Sequence, residues 1–156
     1  MGKGPDGCGL WCGGGGTCCG WLYLRGAWWV ALVWPGRNLS RKECVTLEAL
    51  LGEKFIMPMP GYDGEVRFIL DKLPHWPHIL FSACSDYAII NLVTEGLGVS
   101  ILPQLLLENY SHKAVALPME PAQERTLGLG VPQIKTASPV TLNFIQYVKH
   151  YMQGMK

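Results

Sequence analysis

Four of the six cysteines lie within the first twenty residues, and a thiol cluster is a candidate for metal binding or cross-linking. Their spacing is Cys8-x3-Cys12-x5-Cys18-Cys19. Structural zinc sites commonly present two thiolates from one C-x2-C turn, and this pattern contains no such turn. The gap before Cys18 is Gly-Gly-Gly-Gly-Thr, which supplies no rigidity. The spacing therefore predicts no metal site, and we interpret residues 1–21 as a Gly/Cys-rich low-complexity leader.

The histidines and the glycine-rich segments could in principle serve catalysis or phosphate binding. His75 and His78 bracket Trp76-Pro77 in a predicted surface turn, and the sequence contains no G-x-S-x-G elbow that would present a nucleophile. The segment E-G-L-G-V-S at 95–100 has two glycines where a dinucleotide fingerprint requires three, and it precedes a strand instead of a helix. We therefore predict no catalytic residue, no cofactor and no enzyme activity.

The charge balance limits the partners of the chain. Thirteen basic and twelve acidic side chains give a net charge of +1, whereas duplex binding normally requires a basic surface. No secretory signal is apparent, and the apolar run 21–34 is interrupted by Arg25 and Gly26 and is too short to span a bilayer. We predict a cytoplasmic protein that contacts neither nucleic acid nor membrane directly.

Short apolar runs alternate with amphipathic segments along the rest of the chain. Runs bounded by turn residues predict strands at 27–34, 55–57, 79–81, 99–102, 114–117 and 126–131. Capping residues and helical periodicity predict helices at 46–51, 65–73, 86–95, 104–109 and 139–152. Alternating strands and helices are typical of an α/β fold, here with a largely parallel sheet, whose ligands lie at the carboxyl ends of the strands.

Three of these helices carry apolar stripes that should face a core. In helix 65–73 the stripe is Val66, Ile69, Leu70 and Leu73. In helix 86–95, which Ser85 should cap and Gly96 should end, it is Ile89, Ile90, Leu92 and Val93. In the closing helix, which begins with Ser138-Pro139, it is Val140, Phe144, Ile145, Val148 and Tyr151.

One run resembles a known family. The segment 89–106, I-I-N-L-V-T-E-G-L-G-V-S-I-L-P-Q-L-L, resembles the "lVaaGlGvallP" signature of the effector-binding domain of LysR-type transcriptional regulators. Segment 22–40 resembles the family's strand and "HPLA" turn, with Arg37 and Asn38 replacing His-Pro. Segment 45–56 resembles "vsledLagepfi", and segment 138–148 resembles the closing "spaaraFldfl" helix. The resemblance covers residues 22–152.

The resemblance implies a fold similar to type 2 periplasmic binding proteins, with one complete lobe and part of a second. Residues 38–112 resemble the second lobe, and residues 22–37 with 113–152 resemble a remnant of the first. Family members also carry a winged helix-turn-helix that reads DNA and the opening strands of the first lobe. We expect this chain to lack both.

The resemblance also implies a set of effector contacts in the second lobe. They occupy the loop after the strand at 55–57 and the segment leading into helix 86–95: Met59, Pro60, Gly61, Tyr62, Ser82, Ala83 and Ser85. Backbone N–H groups at the start of that helix could hold a carboxylate. The implied partner is thus a small-molecule effector, with a carboxylate as the candidate class, in a chain expected to form homo-oligomers.

Three functions remain open on the sequence alone. The first is the effector-binding portion of a LysR-type regulator without its DNA-binding domain. The second is a solute-binding protein of similar fold. The third is a non-sensing fragment that only self-associates or pairs with a full-length regulator.

Overall fold

The computed structural model describes residues 10–11, 19–107, 114–131 and 136–154. The strands are β1 (Leu10–Trp11), β2 (Cys19–Val33), β3 (Val45–Thr46), β4 (Lys54–Pro58), β5 (His78–Ala83), β6 (Ser100–Pro103) and β7 (Val115–Val131). The α-helices are α1 (Gly64–Leu70), α2 (Asp86–Thr94), α3 (Gln104–Leu107) and α4 (Pro139–Gln153). Short 3-10 helices cover Asn38–Arg41 and Leu47–Gly52. In these ranges no helix is both long enough and apolar enough to cross a lipid bilayer.

The described residues form two compact units. The larger unit is Ala27–Arg125, and the smaller unit comprises described residues before Ala27 and after Arg125. This grouping places residues 27–37 and 114–125 together with 38–107. The lobe boundaries inferred from the family resemblance remain a prediction. The leader predicted at 1–21 falls mostly on residues outside the described ranges, although Leu10–Trp11 pairs antiparallel with Cys19–Gly20.

Parallel and antiparallel pairing both occur. One sheet has the order β1-β2-β7-β3, with β6 also paired to β2, and β4 and β5 form a separate parallel pair. β2 and β6 are antiparallel, and β3 and β7 are parallel. The prediction of a largely parallel sheet is therefore wrong for this sheet, because β2 pairs antiparallel with β6 and with β1.

The core of the larger unit consists of two apolar clusters that share their strands. In β4, Phe55 and Met57 belong to one cluster and Ile56 to the other. In β2, Ala31 belongs to the first cluster and Leu32 to the second. Successive side chains of a strand point to opposite faces, so a strand covered on both faces must be apolar throughout. This is why residues 27–33 of β2 and residues 55–58 of β4 appear in the sequence as unbroken apolar runs.

The segment E-G-L-G-V-S connects α2 to β6 by close packing. Gly96 has a φ of 75°, in the left-handed region that favours glycine. A Cβ at Gly98 would lie 2.6 Å from the carbonyl oxygen of Lys54, so only glycine fits beside β4. The hydroxyl of buried Ser100 donates to the carbonyl of Ile56 at 2.8 Å. The segment therefore has the structural role that the sequence indicated.

Two helix starts match their predictions and one does not. The Ser85 Oγ accepts the backbone N–H of Ala88 at 3.2 Å, and the Ser138 Oγ accepts that of Thr141 at 3.2 Å. The helix predicted at 46–51 is instead the 3-10 turn Leu47–Gly52, and Thr46 lies in β3 and makes no capping hydrogen bond. The extended backbone of Thr46 is usual for an N-cap and is shared by Ser85 and Ser138, so the prediction fails at the side-chain hydrogen bond and not at the backbone.

The strands predicted at 114–117 and 126–131 are one continuous strand, β7. Pro118 and Pro121 lie within this strand, because an extended backbone accommodates the fixed φ of proline wherever its missing N–H is not required. The apolar stripe of α1 is buried as predicted, including Leu73 just beyond its end. In α2, Leu92 is half-buried, and the rest of the predicted stripe is buried.

The predicted stripe of α4 is largely wrong as a core face. Ile145 is buried and Val148 half-buried, whereas Val140, Phe144 and Tyr151 are exposed. Tyr147 and Tyr151 stack on each other on the surface, with ring centroids 6.5 Å apart. Helical periodicity places apolar residues on one side, but burial also requires a facing element, and the described residues cover only the centre of this side.

Candidate functional site

A cavity of about 390 Å³ lies in the larger unit where β4 and β5 end and α2 begins. Pro58 and Ala83 are directly opposite each other in the parallel pair, and the N–H of Met59 donates to the carbonyl of Ala83 at 2.9 Å. The two following loops therefore leave the sheet side by side. The carboxyl edge of parallel strands is the usual ligand position in α/β folds, and we call this space the charged cavity.

The sequence singled out three of the residues that line the charged cavity. Tyr62, Ala83 and Ser85 all face it. Tyr62 is 80% exposed on the loop after β4, Ala83 is the buried last residue of β5, and Ser85 caps α2. Ser85 engages its Oγ in that cap, but a hydroxyl keeps its proton available for donation to a ligand.

The other four predicted contacts lie near the cavity without lining it. Met59, Pro60 and Gly61 form the exposed turn that carries Tyr62, whose N–H donates to the carbonyl of Met59 at 3.1 Å. Ser82 is exposed on β5 beside Ala83. The role of all seven residues in effector contact remains a prediction.

Asp63 fixes the turn that carries Tyr62. Gly61 has a φ of 97°, and its N–H donates to the Oδ1 of Asp63 at 3.2 Å. The other carboxylate oxygen of Asp63 accepts from Nε of Arg67, one turn along α1. The Arg67 guanidinium holds the pKa of this carboxyl below its ordinary value of 3.8. The turn is thus tied to α1 by a charged hydrogen bond.

The cavity wall is mostly apolar, and its polar groups are few. Trp29, on β2, is 7% exposed and forms part of the floor. The other apolar residues of the wall are Pro58, Val66, Ile89, Ile101, Leu102, Pro103 and Leu106. Charged side chains come from Glu65, Asp86 and Arg125, and Cys84 and Tyr87 also line the space. An apolar cavity with a few placed polar groups is the usual form of a small-molecule site.

Arg125 is the cation of the cavity, and sequence reasoning missed it. Its Nη1 lies 3.3 Å from the Oε2 of Glu65, and its guanidinium lies over the ring of Trp29 with 5.3 Å to the centroid. Its Nε is enclosed and has no hydrogen-bond partner among the described residues. The only signal in the sequence was a lone arginine directly before the apolar run T-L-G-L. Such a residue cannot be distinguished from a solvated surface cation without the fold.

A second cavity of about 350 Å³ lies in the same unit and contains no charged residue. Its lining is Trp28, Trp29, Val30, Gln104, Ala116, Pro118, Met119, Ala122 and Gln123. Buried Gln123 accepts from Nζ of Lys72 and donates to the carbonyl of Pro121. The amide of Gln123 is therefore used within the protein. We call this space the neutral cavity; it shares the Trp29 ring with the charged cavity.

Metal binding finds no support in the part of the chain that the structure describes, where no three His, Cys, Asp or Glu side chains cluster. Cys44 and Cys84 are both exposed and free. The prediction of no metal site at the leader cysteines concerns Cys8, Cys12 and Cys18, which lie outside the described residues, and Cys19, at the start of β2.

Sequence comparison shows relatives among transcriptional regulators. The family model for the LysR substrate binding domain matches residues 23–153. The uncharacterized HTH-type transcriptional regulator YybE of Bacillus subtilis (strain 168) is 32% identical over 114 residues, which are 70% of this chain. The aligned region is 38% of YybE, so the chain spans about two fifths of the length of this relative.

Comparison with solved structures shows the same fold. The regulatory domain of CcmR from Synechocystis PCC6803, in complex with 2-PG, superposes with a TM-score of 0.81 at 18% identity, over 95% of this chain and 73% of that one. The effector-binding domain of QuiR, in complex with shikimate, superposes with a TM-score of 0.75 at 20% identity, over 87% of this chain and 66% of that one. The fold is therefore the periplasmic-binding-protein-like α/β fold that the resemblance implied. With the family match covering residues 23–153, the chain belongs to the LysR substrate-binding domain family.

Proposed function

We propose that this chain is the small-molecule-sensing portion of a LysR-type transcriptional regulator and that its effector binds in the charged cavity. The observation that carries the proposal is the convergence of Tyr62, Ala83, Ser85 and Arg125 around one space at the carboxyl ends of β4 and β5. A cavity of this volume is within the range of about 300–1,000 Å³ that is usual for small ligands. The effector we propose carries a carboxylate, because the cavity contains a guanidinium and the start of α2.

The two solved relatives support a binding role. One is a regulatory domain in complex with 2-PG and the other an effector-binding domain in complex with shikimate. In this chain we assign effector contact to Tyr62, Ala83 and Ser85, and a supporting role around them to Met59, Pro60, Gly61 and Ser82. We propose binding without catalysis as the role of the cavity.

The remaining features of the proposal concern the whole regulator. We propose that DNA is read by a separate domain, since a net charge of +1 offers little attraction for a duplex. We also propose that the regulator acts in the cytoplasm as a homo-oligomer. In such a protein the effector shifts an equilibrium between arrangements that differ in affinity for it.

The test uses the two exposed cysteines of the described residues. Cys84 lines the charged cavity, whereas Cys44 lies elsewhere, near Glu120. The chain is alkylated with N-ethylmaleimide in the presence of a panel of small metabolites at millimolar concentration, and the rate at each cysteine is read by peptide mass spectrometry. An effector in the charged cavity should slow the reaction of Cys84 and leave that of Cys44 unchanged.

Thermal unfolding supplies the matching energetic readout. A ligand that binds the folded state raises Tm by an amount that grows with its concentration. The sensing role is wrong if no compound protects Cys84, no compound raises Tm, and the oligomeric state of the chain depends only on protein concentration. A non-sensing fragment is then the better description.

A further inference from the structure

The charged cavity contains both signs of charge, and their arrangement restricts its ligand further than a carboxylate alone. Three formal charges line it: the cation Arg125 and the anions Glu65 and Asp86. Arg125 and Glu65 already face each other at 3.3 Å. A ligand that enters this space either replaces the Arg125–Glu65 pair with contacts to its own charges or leaves that pair intact.

The Arg125 guanidinium has an unused hydrogen-bond donor, its Nε. This Nε makes no hydrogen bond with the described residues, so a ligand oxygen that reached it would form a bond without replacing one at that atom. The side chain of Arg125 is 29% exposed, whereas that of Glu65 is 56% exposed. Glu65 is therefore the more accessible partner of the pair for a charged group of a ligand.

A simple anion is poorly matched to this exchange. If a carboxylate took Arg125 from Glu65, the lining and the ligand together would carry three negative charges against one positive charge. Glu65 would lose its counter-charge beside a wall that is mainly apolar. The ligand carboxylate would also add a like charge to the cavity that Glu65 and Asp86 line, and like charges within one site repel each other.

A ligand with both charges matches the exchange. Its carboxylate would pair with Arg125 in the planar geometry that a guanidinium favours, and its ammonium group would pair with Glu65, with Asp86 as a further acceptor in the lining. One internal ion pair is replaced by two intermolecular pairs, and the net charge of the site does not change. The apolar body of the ligand would lie against Trp29 and the neighbouring wall.

From the proposed function of the cavity, we infer that the effector is zwitterionic, a small amino acid-like molecule with a carboxylate and an ammonium group on an apolar body. Arg125 and Glu65 are its specificity-determining residues. Glu65 acts both as the resident counter-charge of Arg125 and as the acceptor for the ammonium group.

The experiment compares three probes with one apolar body and different charges: L-phenylalanine, 3-phenylpropionate and 2-phenylethylamine. Their affinities are measured from the concentration dependence of Cys84 protection in the full chain. Phenylalanine should bind about tenfold more tightly than either single-charge probe, which is the effect of one charge-assisted hydrogen bond. In Glu65→Gln the advantage over 3-phenylpropionate should disappear. In Arg125→Met the advantage over 2-phenylethylamine should disappear.

Matched controls separate a charge effect from a folding effect. Glu48→Gln and Arg41→Met change exposed charges outside the charged cavity and should preserve both ratios. Glu65→Gln is isosteric and mostly exposed, so it keeps the test decisive if Arg125→Met fails to fold.

Two results would overturn the inference. One is binding of 3-phenylpropionate that equals or exceeds that of phenylalanine, and the other is an unchanged ratio in Glu65→Gln. The first result would leave a carboxylate effector in the charged cavity and so preserve the proposed function. If none of the three probes protects Cys84, the inference of a zwitterionic effector is also wrong. The proposed function would be wrong as well only if no compound of the wider metabolite panel protected Cys84.

Discussion

The two cavities of the larger unit are similar in volume, about 390 and 350 Å³, but differ in their polar groups. The charged cavity has Arg125, Glu65 and Asp86 in its wall, with the Arg125 Nε unpaired among the described residues. The neutral cavity has no charged side chain, and its polar side chains are the amides of Gln104 and Gln123 and the indoles of Trp28 and Trp29. Because apolar area favours many ligands equally and placed charges discriminate between them, the comparison indicates that recognition resides in the charged cavity.

Trp29 lines both cavities, and its removal should have the largest effect on the protein. Trp29→Ala should join the two cavities and lower the free energy of unfolding by about 3–5 kcal/mol, since a buried ring is lost and a void remains. Trp28, its neighbour on β2, is 49% exposed, so Trp28→Ala should cost less than about 1 kcal/mol. Urea unfolding followed by far-UV circular dichroism measures both. Equal losses would show that Trp29 does not act as a structural partition.

Filling one cavity at a time tests which of them binds. Leu106 lines the charged cavity and is 39% exposed, so Leu106→Trp should occlude that space without overpacking the core. Ala122 is exposed and lines the neutral cavity, so Ala122→Trp is the matched change. We expect loss of ligand protection at Cys84 only in Leu106→Trp. Loss in Ala122→Trp alone would transfer the binding site to the neutral cavity.

The cap of α2 tests whether the helix start contributes to the charged cavity beyond stability. Ser85→Ala removes a bond of 3.2 Å to the N–H of Ala88 and should cost about 1 kcal/mol. Ser138→Ala removes an equivalent cap from α4 in the smaller unit. Both should lower Tm by a similar mechanism, but only Ser85→Ala should also weaken ligand protection of Cys84. The same ligand affinity in both variants would mean that Ser85 is purely structural.

The smallest expected effect concerns pH and the turn beside the charged cavity. Because Arg67 lowers the pKa of Asp63 in the folded chain, the unfolded chain takes up the proton more readily on acidification. The stability from this pair is complete above the unfolded value of 3.8 and is lost as the pH falls through the lower folded value. Tm of the wild type should therefore fall more steeply than that of Asp63→Asn between about pH 5 and pH 2. Arg67→Met should show the same flattening, and a slope unchanged in both variants would refute the role of the pair.

Much of the fold was predictable because local patterns and tertiary packing agree. Strands β4, β5 and β6 coincide with short apolar runs bounded by turn residues, and Ser85 and Ser138 cap the helices that they were expected to cap. Predictions from the sequence fail where a neighbouring strand or helix determines the structure of a segment. Thr46 pairs with β7 and makes no capping hydrogen bond, and β7 continues through two prolines. Of the apolar side predicted for α4, the described residues bury only Ile145 and half-bury Val148.

The candidate site was less predictable than the fold. Tyr62, Ala83 and Ser85 follow strand ends, and the sequence places such residues at the ligand edge of an α/β sheet. Arg125 lies forty residues beyond Ser85 and far from Tyr62 along the chain. No local pattern connects it to them, since a cation before an apolar run is common on protein surfaces.

By itself, the sequence determined the family, the alternation of strands and helices, and the turn and cap residues around one ligand edge, because these depend on spacing within short segments. Only the tertiary structure decided that Arg125 meets Glu65 over the Trp29 ring, and that one of two similar cavities contains charge. The physical reason is that charge pairing acts between atoms a few ångströms apart in space, whatever their separation along the chain.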